Sequence, residues 1–208
     1  MPRTLRFPAA LVALALAGWI ATALLMRGTG SMDGPGPLGS FLWLWFAMTA
    51  AMMLPSVVPA ASLAASVGRS GAVFVTGYLA LWVATGVLAF GAARGLMGAG
   101  RWPGAGAILA AAAYQLSPPK DACLRRCRSP LGLPVRRGAF AAGLEHGVVC
   151  LGCCWALMLV FLALGIGSMF WMAAVAGAIF VEKVTAFGTR AAAPVALALL
   201  GAAVWILL

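Results

Sequence analysis

The sequence predicts an all-α protein, a polytopic transmembrane helix bundle of about seven spans forming one integral membrane domain over residues 1–208. Three observations carry that prediction. Apolar residues make up 64% of the chain, against about 45–50% in soluble domains. Charged residues make up 9%, against about 25%. The apolar residues also fall in long unbroken blocks, with a mean hydropathy of +1.05, as bilayer-spanning helices require. So few charges cannot keep a soluble monomer hydrated, and so apolar a chain does not stay disordered. The 26 glycines and 12 prolines suit membrane helices, where small residues allow close approach.

The first span is Phe7 to Met26, behind Arg3 and Arg6. Ala21-Thr22-Ala23 has the small residues of a leader-cleavage site, but the apolar run continues past it, so we read an uncleaved helix. A Gly/Pro-rich outer loop follows. The second block, Leu38 to Val67, is too long for one straight span. Pro55 and Pro59, which lack an N–H and free the carbonyls of Ala51 and Pro55, predict a break in it. The third span is Gly71 to Ala93. The fourth, Trp102 to Leu116, is short and rich in Ala and Gly. It is followed by a basic loop holding Lys120, Arg125, Arg126, Arg128, Arg136 and Arg137. The fifth span is Ala139 to Leu164, the sixth Ser168 to about Phe187, and the seventh Ala191 to Leu208.

Fourteen Lys/Arg against four acids give a net charge of +10. The cations lie between apolar blocks, so anionic headgroups and the positive-inside bias account for them and nucleic acid is not the partner. With seven spans and the N-terminus inside, eleven cations face the cytoplasm. Only Arg27, Arg94 and Arg101 face out. Membrane lipid is therefore a partner, and the expected location is a membrane with the basic loop on its cytoplasmic side. Five cysteines, an odd number with three inside an apolar block, argue against a secreted disulfide framework.

The chemistry concentrates in Glu145-His146-Gly147-Val148-Val149-Cys150-Leu151-Gly152-Cys153-Cys154-Trp155. On a helix His146, Cys150 and Cys153 stand at i, i+4 and i+7 and share one face, with Cys154 to its side. Ionisable groups inside a bilayer are costly and face the bundle interior. Thiolate and imidazole are ligands for Cu(I) or Zn(II). Each residue alone reads as a packing side chain; together on one face they read as a metal site. Met48 and Met52, an i, i+4 pair before Pro55, offer thioethers for Cu(I) or merely fill the core. Cys123 and Cys127 in the basic loop are thiols beside guanidinium groups, which favour the metal-binding thiolate, or reduced thiols without a task. Glu182-Lys183 reads as an ion pair with Lys183 snorkelling to the interface, or Glu182 supports a metal ligand, as Glu145 would.

These stretches resemble a known family. Met48 to Pro55, Tyr114-Gln115-Leu116-Ser117-Pro118-Pro119-Lys120, Cys123 to Pro130, His146-Gly147, Cys150-Leu151-Gly152-Cys153-Cys154-Trp155 and Glu182-Lys183 are similar to bacterial predicted metal-binding integral membrane proteins. That family, a domain of unknown function, includes proposed copper chaperones for copper oxidases such as tyrosinases. The resemblance implies copper handling. The chain departs from it at Pro119, the second of two prolines where members commonly have Pro-Leu-Lys.

The expected function is therefore to bind Cu(I) and to deliver it to, or hold it for, an extracytoplasmic copper oxidase or other copper enzyme, as a chaperone or transporter-like protein rather than an enzyme. A donor pool of thiols, imidazole and thioethers favours copper over zinc. The methionines Met26, Met32, Met97, Met158, Met169 and Met172 would lie on the outer side and suggest outward movement, or fill gaps there. The alternatives are a membrane thiol–disulfide oxidoreductase using Cys150, Cys153 and Cys154, and a structural protein associated with other membrane subunits. The topology makes a direct prediction. Cys123 and Cys127 resist a membrane-impermeant thiol reagent in intact cells and react once the membrane is opened; labelling of intact cells contradicts the span count.

Overall fold

In a computed structural model the protein is described over residues 3–28, 35–68, 70–96, 100–129, 138–164, 168–185 and 187–208. Among these there are eight α-helices and no strand: α1 Arg3–Gly28, α2 Leu38–Ser66, α3 Gly71–Leu96, α4 Arg101–Gln115, α5 Pro118–Arg128, α6 Ala139–Leu164, α7 Met169–Val184 and α8 Ala192–Leu207. Four stretches, Phe7–Arg27, Leu38–Ser66, Gly71–Leu96 and Ala139–Leu164, are long and apolar enough to cross a membrane; α8 is a shorter apolar helix.

The expected break in the second block does not occur. Pro55 and Pro59 lie inside a single helix of 29 residues. Each proline removes one hydrogen bond from the ladder, and packing of α2 against α1, α3 and α7 holds the axis across both gaps.

A break falls instead at Leu116 and Ser117, the end of the expected fourth span, and beyond it the start of the expected basic loop is helical. Leu116 and Ser117 end α4 and start α5. The Ser117 hydroxyl donates to Tyr114 O (2.7 Å) and accepts from the Lys120 N–H, while Pro118 and Pro119 fill the first helical positions where no N–H is needed. Asp121 in the first turn and Arg125, Arg126 and Arg128 in the last complement the dipole of α5. A run of charges that reads as solvated loop is thus a capped helix. Arg69, Arg136 and Arg137 lie outside the described residues.

Helix directions follow from cross-helix contacts. The Trp45 indole N–H donates to Trp82 O (2.8 Å), and the Phe41 ring meets that of Phe90, so α2 and α3 are antiparallel. α3 and α6 run parallel and cross closely, because Gly77 lies against the Phe140 backbone and Gly143 against the Phe74 carbonyl and the Tyr78 amide. α4 runs against α6: Gly104 sits by Ala163, and the Tyr114 hydroxyl donates to Gly152 O (2.5 Å). α5 continues in the same direction along the remainder of α6, with Cys123 beside Gly152 and Arg126 paired to Glu145 (3.1 Å). Together α4 and α5 behave as one discontinuous helix accompanying α6 along its length.

The α3–α6 crossing yields a stability prediction. A Cβ at Gly143 would be driven into the backbone of α3 rather than into a movable side chain. Gly143→Ala should therefore cost about 1–3 kcal/mol, read as a lowered unfolding midpoint in detergent. Gly177→Ala, where no neighbouring atom stands in the way, should be neutral or slightly stabilising. Equal midpoints for the two variants contradict the close crossing.

Candidate metal centre

The cysteines of α6 are all buried: Cys150, Cys153 and Cys154 are each 1% exposed. Helical spacing brings both later thiols back over the first turn, and each donates to Cys150 O at 3.0 Å. The Cys150 sulfur is the hub. The Lys183 amine at the end of α7 donates to it at 2.8 Å, and the Tyr78 hydroxyl of α3 lies 3.0 Å away. Lys183 Nζ also lies 3.7 Å from Cys154 Sγ and 3.7 Å from Met53 Sδ on α2. From α5, Cys127 lines one pocket with Lys183, and its thiol interacts with those of Cys150 and Cys153. Five helices thus contribute to one sulfur-rich cluster, and α5 reaches it because Gly152 leaves room for Cys123: a Cβ there would stand 2.8 Å from Cys123 Sγ.

A second buried polar group lies alongside. Glu182, next to Lys183 in the chain, accepts from Lys120 Nζ (2.6 Å) and from the amide of Gln115 (2.6 Å). Lys120 also donates to Gln115 Oε1, and Arg128 donates to the Glu182 carbonyl (2.6 Å). Lys120, Gln115 and Glu182 are at most 2% exposed. A paired, hydrogen-bonded charge is the form in which a carboxylate can be buried. It ties α4 and both ends of α5 to the end of α7, the point from which Lys183 reaches the thiols.

The expected site residues are placed as follows. Cys127, Cys150, Cys153 and Cys154 come together, and Cys123 packs at the edge against Gly152. His146 is buried on the same face of α6, but its ring packs against Phe74 (5.8 Å) and Tyr78 (5.9 Å), so the Tyr78 phenol is what carries that neighbourhood to Cys150. Met48 and Met52 are core side chains, and the methionine that reaches the cluster is Met53. The Glu182–Lys183 ion pair expected from adjacency is corrected. Successive residues point to different sides of a helix, so Glu182 faces Lys120 and Lys183 faces the thiols; Lys183 is buried rather than snorkelling. Glu145 pairs with Arg126. Of the methionines expected on the outer side, Met158 and Met172 are buried, Met26 and Met169 pack at the margin of the core, and Met32 and Met97 lie outside the described residues.

Sequence reasoning missed Tyr78, Met53 and Lys183 as neighbours of the thiols. Only Lys183 carried a signal, as a cation inside an apolar block. Among the described residues, no three His, Cys, Asp or Glu side chains are arranged around a ready-made metal position. The sulfur atoms are gathered, with the Lys183 amine among them.

A family model described as PpoB2, copper chaperone, matches residues 42–206. The match runs from the second turn of α2 to the last turn of α8 and includes every residue of the cluster, so the chain belongs to the PpoB2 copper chaperone family. Comparison with curated proteins and with solved structures gives no match.

The Lys120–Glu182 pair gives a test that separates its structural weight from the chemistry of the sulfurs. Removing one partner, as Lys120→Met or Glu182→Leu, leaves an uncompensated buried charge and should cost about 3–5 kcal/mol. The double variant should recover most of that loss in a detergent unfolding assay. Losses that simply add would mean that the two groups do not depend on each other.

Proposed function

We propose that the chain is a seven-span protein of the bacterial cytoplasmic membrane, N-terminus inside, that binds Cu(I) at Cys127, Cys150 and Cys153 and holds it for, or hands it to, an extracytoplasmic copper enzyme. The observation that carries this reading is the meeting of a thiol from α5 with the thiols of α6 inside a chain of the copper chaperone family. Soft thiolate and thioether donors suit monovalent copper. Cys154 and the Met53 thioether stand next to these three thiols, and the Tyr78 phenol and His146 back Cys150. Zinc is the weaker cargo: four thiolates around a dication would leave two negative charges in a low-dielectric interior, whereas two thiolates around Cu(I) leave one.

Alternating helix directions support the seven spans. If α4 and α5 form one discontinuous span, then α1, α2, α3, α4–α5, α6, α7 and α8 alternate, and the basic end of α5 falls on the same side as the N-terminus. Non-helical backbone at membrane depth is tolerated where protein surrounds it, and Ser117 with its Tyr114 and Lys120 partners meets that condition.

Metal analysis of detergent-purified protein tests the reading. Wild type should retain Cu(I), and Cys150→Ser or Cys153→Ser should lower the retained copper by about tenfold or more, at least the loss seen when outer-shell partners of metal ligands are removed. Unchanged stoichiometry in both variants returns the cysteines to packing. A reversible Cys150–Cys153 disulfide in a protein that binds no copper would favour a thiol–disulfide oxidoreductase instead.

A further inference from the structure

A pocket of about 200 Å³ lies where α2, α5 and α7 meet, lined by Ser56, Pro59, Ala60, Cys127, Arg128, Lys183 and Val184. It reaches the surface at Pro59 and Val184, which are exposed. Its inner wall leads to the sulfur cluster: Cys127 and Lys183 both line it, and the Lys183 amine donates to Cys150 Sγ at 2.8 Å. Cys127 is partly exposed whereas the three α6 cysteines are 1% exposed. Of these four thiols, Cys127 is therefore the one that a molecule in the pocket can touch. Two cations, Arg128 and Lys183, line the pocket, and no acid is among its described lining residues.

We infer that this pocket is the port through which copper enters the cluster, and that it takes copper as an anionic Cu(I)–thiolate complex of a small thiol rather than as a free or cationic species. The inference rests on the copper reading above and adds the form of the cargo and its first contact. A cation would meet Lys183 and Arg128 at close range in a low-dielectric pocket and be repelled, whereas a Cu(I) bis-thiolate carries one negative charge and is drawn in. Arg128 spends one donor on the Glu182 carbonyl and keeps the rest of its fork for a second acceptor. Only the metal–sulfur end of the complex has to enter. Transfer is a ligand exchange: a copper–sulfur bond to Cys127 forms, one copper–sulfur bond to the carrier breaks, and the Cys127 proton leaves on the departing thiol. Copper stays Cu(I) and nothing is oxidised. A second exchange of the same kind moves the metal on to Cys150 or Cys153, past the Lys183 amine that lines the pocket with Cys127 and bonds Cys150.

The test compares loading rates of the purified full-length protein from two donors, an anionic Cu(I)–glutathione complex and cationic Cu(I)–acetonitrile, followed by the rise of copper–thiolate absorption at low salt. Wild type should load faster from the anionic donor. Arg128→Gln should reduce the ratio of anionic to cationic rates by about tenfold, the lower end of electrostatic steering, and Arg128→Lys should restore it. Because Arg128 also holds the end of α7, Ser56→Asp serves as a second variant. It puts a negative charge at the rim and should shift the ratio in the same direction. Cys127→Ser should slow loading from both donors. A wild-type ratio near one, or a ratio that neither Arg128→Gln nor Ser56→Asp alters, overturns the port while leaving the copper site standing. Retention of copper from neither donor overturns the site and the port together.

Discussion

The ion pair between Lys120 and Glu182 is the interaction on which the arrangement around the sulfurs depends. Two long charged side chains in an otherwise apolar interior have to end on each other, and Gln115 supplies the remaining donor and acceptor. Meeting that demand fixes where α5 can lie. Its first turn is held to the end of α7 by Lys120 and its last turn by Arg128, and between those two ties Cys127 faces Cys150 and Cys153. The same ties fix the last turn of α7. Lys183 follows Glu182 directly, so the side of the helix that does not face Lys120 delivers the amine to Cys150. An ion pair of this kind contributes little net stability compared with apolar packing, yet it specifies which surfaces meet.

Close backbone approach supplies the second constraint. α3 and α6 lie in contact along Gly77, Gly143 and Gly147, which brings the Tyr78 phenol within hydrogen-bonding distance of Cys150. Gly152 does the same for α5, by leaving the volume that Cys123 fills. Between apolar helices in lipid there is little hydrophobic drive for association, so contact geometry depends on small residues and on polar groups that find partners. Both devices are used here, the glycines of α6 toward α3 and α5 and the charges where α4, α5 and α7 meet.

Much of this was legible in the sequence, and what was not has identifiable causes. Composition and block length give the helical bundle, and helical spacing puts the cysteines of α6 on a buried face, because periodicity is a local property. Local reasoning fails where the partner is distant in the chain. Residues 118–128 hold five charged side chains among eleven, which reads as solvated loop. Yet Ser117-Pro118-Pro119 is a helix start, and an acid early with arginines late is a helix charge pattern, so the element was there to be read. The i, i+4 spacing from Met48 singles out Met52, not Met53. That rule finds neighbours on one helix and says nothing of which face meets α7. Adjacency suggested pairing Glu182 with Lys183, although on a helix neighbouring side chains diverge and i, i+3 or i, i+4 is the pairing distance.

The place of Lys183 bears on how such a cluster could take up and give back a metal. In the structure the amine sits among Cys150, Cys154 and Met53, where a soft cation would find its donors. On the proposed reading, binding copper at Cys150 exchanges the amine's hydrogen bond for a copper–sulfur bond, so the free energy of the amine–sulfur contacts is subtracted from the affinity for the metal. A cage with no such occupant would hold copper more tightly and release it less readily. A protein that passes its cargo on needs the opposite, an unloaded state stable enough that leaving is not prohibitive, because only the difference between the two states sets the equilibrium. The ammonium also keeps a positive charge beside sulfurs that become an anionic copper dithiolate when loaded, so the loaded cluster and Lys183 together approach neutrality in a low-dielectric setting. One side chain would then act on both states, occupying the site when it is empty and balancing its charge when it is full.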